Sequence, residues 1–180
     1  MTAGEGVADL IAPGLRVLFC GINPGLRSAE LGQHFARPGN RFWKVLALAG
    51  FTEDVLLPDH QGDLVDLGIG ITNLVSRPSA AAAELTAQDL RDGAGRLEQK
   101  VARFRPAHVA VLGVLAFRTA FRRPKASVGA QPEALAAARL WLLPNPSGLQ
   151  ARYQLAEMGR LYGELAQAAG YGPLRRAPSC

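Results

Sequence analysis

A chain of 180 residues, 48% hydrophobic and 19% charged, has the composition of one compact globular domain and excludes a disordered or low-complexity chain. Its net charge of +5 is compatible with a polyanionic partner but does not require one. The two cysteines, Cys20 and Cys180, give neither metal-ligand spacing nor a disulfide framework, which argues against a cysteine-built zinc or iron–sulfur site and fits a reducing compartment.

In chain order, "LRVLFCGI" (15–22) is a continuous apolar run closed by Asn-Pro-Gly, the pattern of a strand buried on both faces. The segment "GINPGLRSAELGQHFARPGNRFW" (21–43) then reads as an unusually long loop before a helix over 40–50, and connections of that length are often functional. A second strand is expected over 68–75, followed by an Ala-rich stretch (79–85) of little information. Thr86, with Asp89 three residues on, starts a helix over 86–104 in the manner of a capping box, and Pro106 stops it. A third strand (107–113) leads into a helix over 114–121, and the basic, turn-rich 122–132 reads as a solvated loop. After another Ala-rich stretch (133–140), a fourth strand (139–144) runs into "LPNPSGLQARYQL" (143–155). A helix over 153–170 closes the domain, with 172–180 read as a flexible tail beyond a core of about 10–171.

Strands alternating with helices predict a three-layer α/β/α domain around a central, mostly parallel sheet of four to five strands. No segment has the order of a signal peptide, and no run approaches the roughly 18 apolar residues of a membrane span, so a soluble cytoplasmic protein is expected.

Open α/β sheets bind ligands at the carboxyl ends of their strands, which directs attention to the residues after each apolar run. Singly, each has an ordinary structural role. Asn23 suits an Asx-turn, Ser147 a helix cap, and Leu149, Phe35, Phe42 and Trp43 a core. Asp63, Asp66 and Asp89 fall near expected sheet ends or helix starts, where capping and solvation compete with activation of a water. No G-x-x-x-x-G-K-[ST] or strand-linked G-x-G-x-x-G supports a nucleotide-phosphate cradle, and the zinc ligands of a nucleobase deaminase are absent.

Together and in order, "APGLRVLFCGINPGLRSAELGQHFARPGNRFWKVLALAGFT" (12–52), "GIGITNLVSRP" (68–78) and "LPNPSGL" (143–149) resemble the mismatch-specific uracil/thymine DNA glycosylases, the Mug/TDG branch of the uracil-DNA glycosylase superfamily. The resemblance spans most of 12–170. It implies a cofactor-free enzyme, monomeric and without a metal, that flips uracil out of duplex DNA opposite guanine and hydrolyses its N-glycosidic bond. 3,N4-ethenocytosine and, weakly, thymine would be further substrates. In that family Asn23 would position the attacking water, and Phe35 would stack on the flipped base. Ile22, Gly25, Ser28 and Asn73 would belong to the base pocket, Ser28 near the pyrimidine 5-position.

Leu149 would be the wedge that fills the gap in the duplex. Gly148 and Gln150 would meet the opposite guanine, and Asn145 and Ser147 would complete the DNA-contacting loop. An Arg common in relatives at the position of Ala151 is displaced here to Arg152. Asn40 and Arg41 would fix the loop and cap the following helix. Asp66 is kept as a second catalytic candidate, since a carboxylate polarises water better than an amide. The competing function is a mismatch sensor that binds without cleaving; such a protein should have lost Asn23 or Phe35, and both are present.

Overall fold

A computed structural model describes residues 6–149 and 152–172. Five strands form one sheet: β1 (Val17–Gly21), β2 (Ile69–Asn73), β3 (His108–Leu112), β4 (Gly129–Leu135) and β5 (Ala138–Leu143), in the order β2-β1-β3-β5-β4. All neighbours run parallel except β4, which is antiparallel to β5. The expected three-layer architecture is observed, with five strands.

The continuous apolar runs are explained by burial on both faces. Val17 and Phe19 of β1 face one core, while Leu18 and Cys20 face the other. The first core lies under α2 (Phe42–Ala49) and α6 (Leu155–Ala168), and the second under α4 (Ala87–Phe104) and α5 (Val114–Ala120). Phe19 sets the first core by edge contacts to Phe42 and Phe51, at centroid distances of 5.5 and 5.3 Å.

Thr86 caps α4 as expected: its Oγ1 accepts from the Asp89 amide at 3.0 Å, and the Asp89 carboxylate accepts from the Thr86 amide at 2.8 Å. The Thr86 amide is the chief reason that the Asp89 carboxyl lies below its ordinary range.

Three elements differ from the sequence expectation. Residues 21–43 are not all loop, because α1 (Leu26–Leu31) forms between Gly25 and a left-handed Gly32. A further single turn, α3 (Asp63–Asp66), precedes β2. The end of the supposed basic loop is part of β4, an exposed edge strand whose register shifts between Ala130 and Ala134, where Pro132 has no amide to donate. Among the described residues no helix is long and apolar enough to cross a membrane, and no group of three His, Cys, Asp or Glu side chains could hold a metal.

Candidate active site

The carboxyl ends of β1, β2, β3 and β5 lie along one edge of the sheet, because these strands share a direction. Gly21 and Asn73 are partners in the β1–β2 register. A Cβ on Gly21 would stand 2.6 Å from Asn73 Oδ1 and 3.4 Å from Phe35 Cζ, so glycine is what lets these two side chains converge there. Ile22 continues the edge: its carbonyl accepts from the Val75 amide at 3.0 Å, as Gly21's does from Leu74 at 2.9 Å.

One residue on, Asn23 is held by its amide nitrogen. Nδ2 donates to the Arg77 carbonyl at 2.9 Å and to Ser79 Oγ at 2.8 Å. The Arg77 carbonyl can only accept, and the buried Ser79 hydroxyl donates its own proton to the Ala81 carbonyl at 2.8 Å. Both Asn23 amide protons are therefore directed at acceptors, and Oδ1 is presented as the acceptor of the group. A backbone bond from the Ser79 amide to Pro24 (3.1 Å) and the bridge between Gly25 and Ser79 tie the two loops together. Gly25 also opens α1, its carbonyl accepting from Ala29 at 3.0 Å.

Phe35 adopts a left-handed backbone, φ 50°, rare for a bulky residue. Phe42 backs its ring at a centroid distance of 4.1 Å and an interplanar angle of 27°, and the ring is half-buried. The buried Ser28 sits in α1, and its Oγ accepts from the Ala36 amide at 3.0 Å, fastening the residue after Phe35. This bond occupies the hydroxyl within the loop, whatever else it does at a pocket wall.

Residues 144–149 form a loop braced from several sides. Asn145 Oδ1 accepts from the Ser147 amide at 3.0 Å, and Ser147 Oγ from the Leu149 amide at 3.3 Å. Buried Tyr162 donates its hydroxyl to the Pro144 carbonyl at 2.6 Å. Arg41 donates Nη1 to the Tyr153 carbonyl at 2.7 Å, Nη2 to that of Ser147 at 3.1 Å, and its amide to Pro146 at 2.9 Å. Asn40 Oδ1 accepts from the Phe42 amide at 2.9 Å at the start of α2. Gly148 lies so close to the neighbouring loop that a Cβ would meet the Gly39 carbonyl oxygen at 2.5 Å.

Leu149 is 72% exposed at the end of this braced loop. Gln150 and Ala151 lie outside the described residues. The Arg152 guanidinium lies over the Tyr153 ring, 5.6 Å from its centroid.

Asp66 requires a correction. It is exposed at the end of α3, and with Arg16, Gly68 and Tyr171 it lines a cavity at the amino ends of β1 and β2. Gly21 and Asn73 are at the other ends of those strands, about 13 Å away at ~3.3 Å of rise per residue. Asp66 cannot reach a water held by Asn23. Asp63 begins the same turn, and Asp89 is bound to Thr86 and Arg77.

Sequence reasoning passed over Ser79, which fixes Asn23, and over His34 and Gln61, which fix the loop around Phe35. Ser79 follows directly on "GIGITNLVSRP", and its only signal was proximity to that segment.

The architecture resembles that of a solved protein: the solution NMR structure of a "putative Uracil DNA glycosylase" from Methanosarcina acetivorans superposes with a TM-score of 0.58 at 18% identity, covering 90% of this chain and 98% of that one. At that identity the likeness defines the fold. The sequence profile of the Uracil DNA glycosylase superfamily matches residues 8–166, and the chain belongs to that superfamily. It is accordingly a DNA glycosylase, a hydrolase with DNA as its partner.

Proposed function

We propose that the protein is a monofunctional glycosylase of the mismatch-specific (Mug/TDG) kind, acting as a cytoplasmic monomer on uracil, and also 3,N4-ethenocytosine and weakly thymine, opposite guanine in duplex DNA. The observation that carries the reading is the fixed amide of Asn23. Its nitrogen is anchored by Arg77 and Ser79, which leaves Oδ1 as the acceptor for a water proton.

The chemistry follows from what an amide can do. Its carbonyl does not take a proton at neutral pH, so Asn23 orients a water without ionising it. The C1′–N1 bond must therefore break ahead of attack: the bonding pair leaves with the base as an anion, and the sugar becomes oxocarbenium-like. Water then adds to C1′ and loses its proton to solvent or to the departing base. The enzyme contributes positioning and electrostatic support, which implies slow turnover and tolerance among bases.

The remaining residues take consistent roles. Phe35, backed by Phe42, offers a π-face to the flipped base, and Asn73 presents its amide at the same place. Backbone groups around Ile22 and Gly25 would complete the pocket, with Ser28 at its 5-position side. Leu149 is the wedge, exposed on a loop stiff enough to push into a base stack. Asn145 and Ser147 brace it, Gly148 meets the opposite guanine, and Arg152 contacts DNA nearby.

The test is incubation of labelled duplexes carrying G·U, A·U, G·T or G·ethenocytosine, and of single-stranded U, followed by alkaline cleavage of abasic sites. Product in the order G·U above A·U, without strand cleavage before alkali, is expected. No product from any substrate at stoichiometric enzyme would overturn the catalytic reading in favour of a mismatch sensor.

A further inference from the structure

The loop that carries Phe35 is fastened by two side chains to which the family resemblance assigns no role, Gln61 and the buried His34. The His34 amide donates to Gln61 Oε1 at 2.8 Å, while Gln61 Nε2 donates to the Gly32 carbonyl at 3.1 Å. One glutamine thus bridges both sides of the turn that ends α1. The His34 ring is 2% exposed and bonds through Nε2 to the Ala8 carbonyl at 2.8 Å. Ala8 belongs to an N-terminal segment that is itself pinned: Leu10 exchanges backbone bonds with Ile71 at 2.9 and 2.8 Å, and Asp9 pairs with Lys100 at 2.6 Å and accepts from Thr72 at 2.8 Å.

These bonds converge on the residue beside Phe35, whose left-handed backbone is strained and persists only where surroundings enforce it. On its other side the enforcement is Ser28 to the Ala36 amide. We propose that Gln61 and His34 are positioning residues that hold Phe35 as a preset stacking face for the flipped base, with the N-terminal segment as the strap that anchors His34. The inference rests on the stacking role given to Phe35 above.

A preset ring lowers the cost of capturing an extrahelical base but contributes nothing to DNA that has no base to capture. Binding to uracil-containing and abasic duplexes should therefore separate. The experiment compares Kd for a G·U duplex and for the same duplex carrying a tetrahydrofuran abasic site, using Asn23→Ala protein so that no turnover intervenes. Gln61→Met, which keeps length and loses both bonds, and His34→Phe, which keeps a buried ring and loses the bond to Ala8, are added to that background.

Each is expected to weaken G·U binding about tenfold, the effect of losing one or two hydrogen bonds, and to leave abasic binding within about twofold. Hydrogen exchange at the His34 amide should accelerate in Gln61→Met with the rest of the sheet protected. Unchanged affinity for both duplexes, or an equal loss for both, would overturn the proposal. The reading of the protein as a glycosylase fails separately, if protein with intact Asn23 makes no abasic product.

Discussion

Replacing Ser79 by alanine removes one atom at the second step of the chain Asn23 Nδ2 to Ser79 Oγ to the Ala81 carbonyl. The Arg77 carbonyl still holds one amide proton at 2.9 Å, so Asn23 stays near its place but loses the second of two anchors. An amide held once can swing, and the fraction of time Oδ1 points at the water falls. A net hydrogen bond contributes about 0.5–1.5 kcal/mol, and a part-buried donor left unsatisfied costs about 1–3 kcal/mol. At about 1.4 kcal/mol per tenfold, the unsatisfied donor should lower the single-turnover rate on a G·U duplex roughly 5- to 140-fold. Ser79→Thr, which restores the hydroxyl, should recover most of it. The assay is quenched single-turnover excision with enzyme in excess, alongside Kd for an abasic duplex, which should not move. A Ser79→Ala rate equal to the parent's would refute the argument that anchoring of the amide matters.

Other outcomes follow from the same geometry. Leu149→Ala removes the exposed finger and should weaken binding to G·U duplex by about 1–3 kcal/mol, read by titration, with little effect on single-stranded substrate. Gly148→Ala drives a Cβ into the Gly39 backbone, which cannot yield as a side-chain tip can, and should lower stability by about 1–3 kcal/mol in urea melts and impair duplex excision. Acid should destabilise the fold through two histidines. Burial is the first cause that holds both His34 and His108 below their ordinary value of 6.5, and Arg139 further lowers His108, whose Nδ1 accepts from the Trp141 indole at 3.1 Å. Since the folded state resists protonation, this stability is complete above pH 6.5 and is lost as pH falls from there through the lowered folded-state values. Melting temperature followed from pH 7.5 to 4.5 should decline over that window, and a decline beginning only below pH 4 would contradict it.

Much of the fold was legible because both faces of the sheet are covered. Double burial makes "LRVLFCGI" and its counterparts unbroken apolar runs, which mark strands without needing alternation. Edge strand β4 gave no such signal. It is largely exposed, contains Gly129 and Pro132, and owes its pairing to backbone bonds with β5. Helix α1 escaped because six residues are too few to show a period. At the site, order along the chain pointed to Asn23, Phe35 and Leu149, but not to what holds them. Asp66 was misplaced for a related reason: a residue near a strand end is easily recognised, while which end faces the site depends on the direction of the strand.

The central claim is that an amide fixed at the end of β1, rather than a carboxylate, directs the water. Single-turnover excision from a G·U duplex by Asn23→Ala and by Asp66→Asn measures it most directly. The geometry predicts a loss of about a hundredfold or more for Asn23→Ala with abasic-site binding retained, and a parent-like rate for Asp66→Asn. Full activity in Asn23→Ala, or a collapse in Asp66→Asn without loss of folding, would contradict the account.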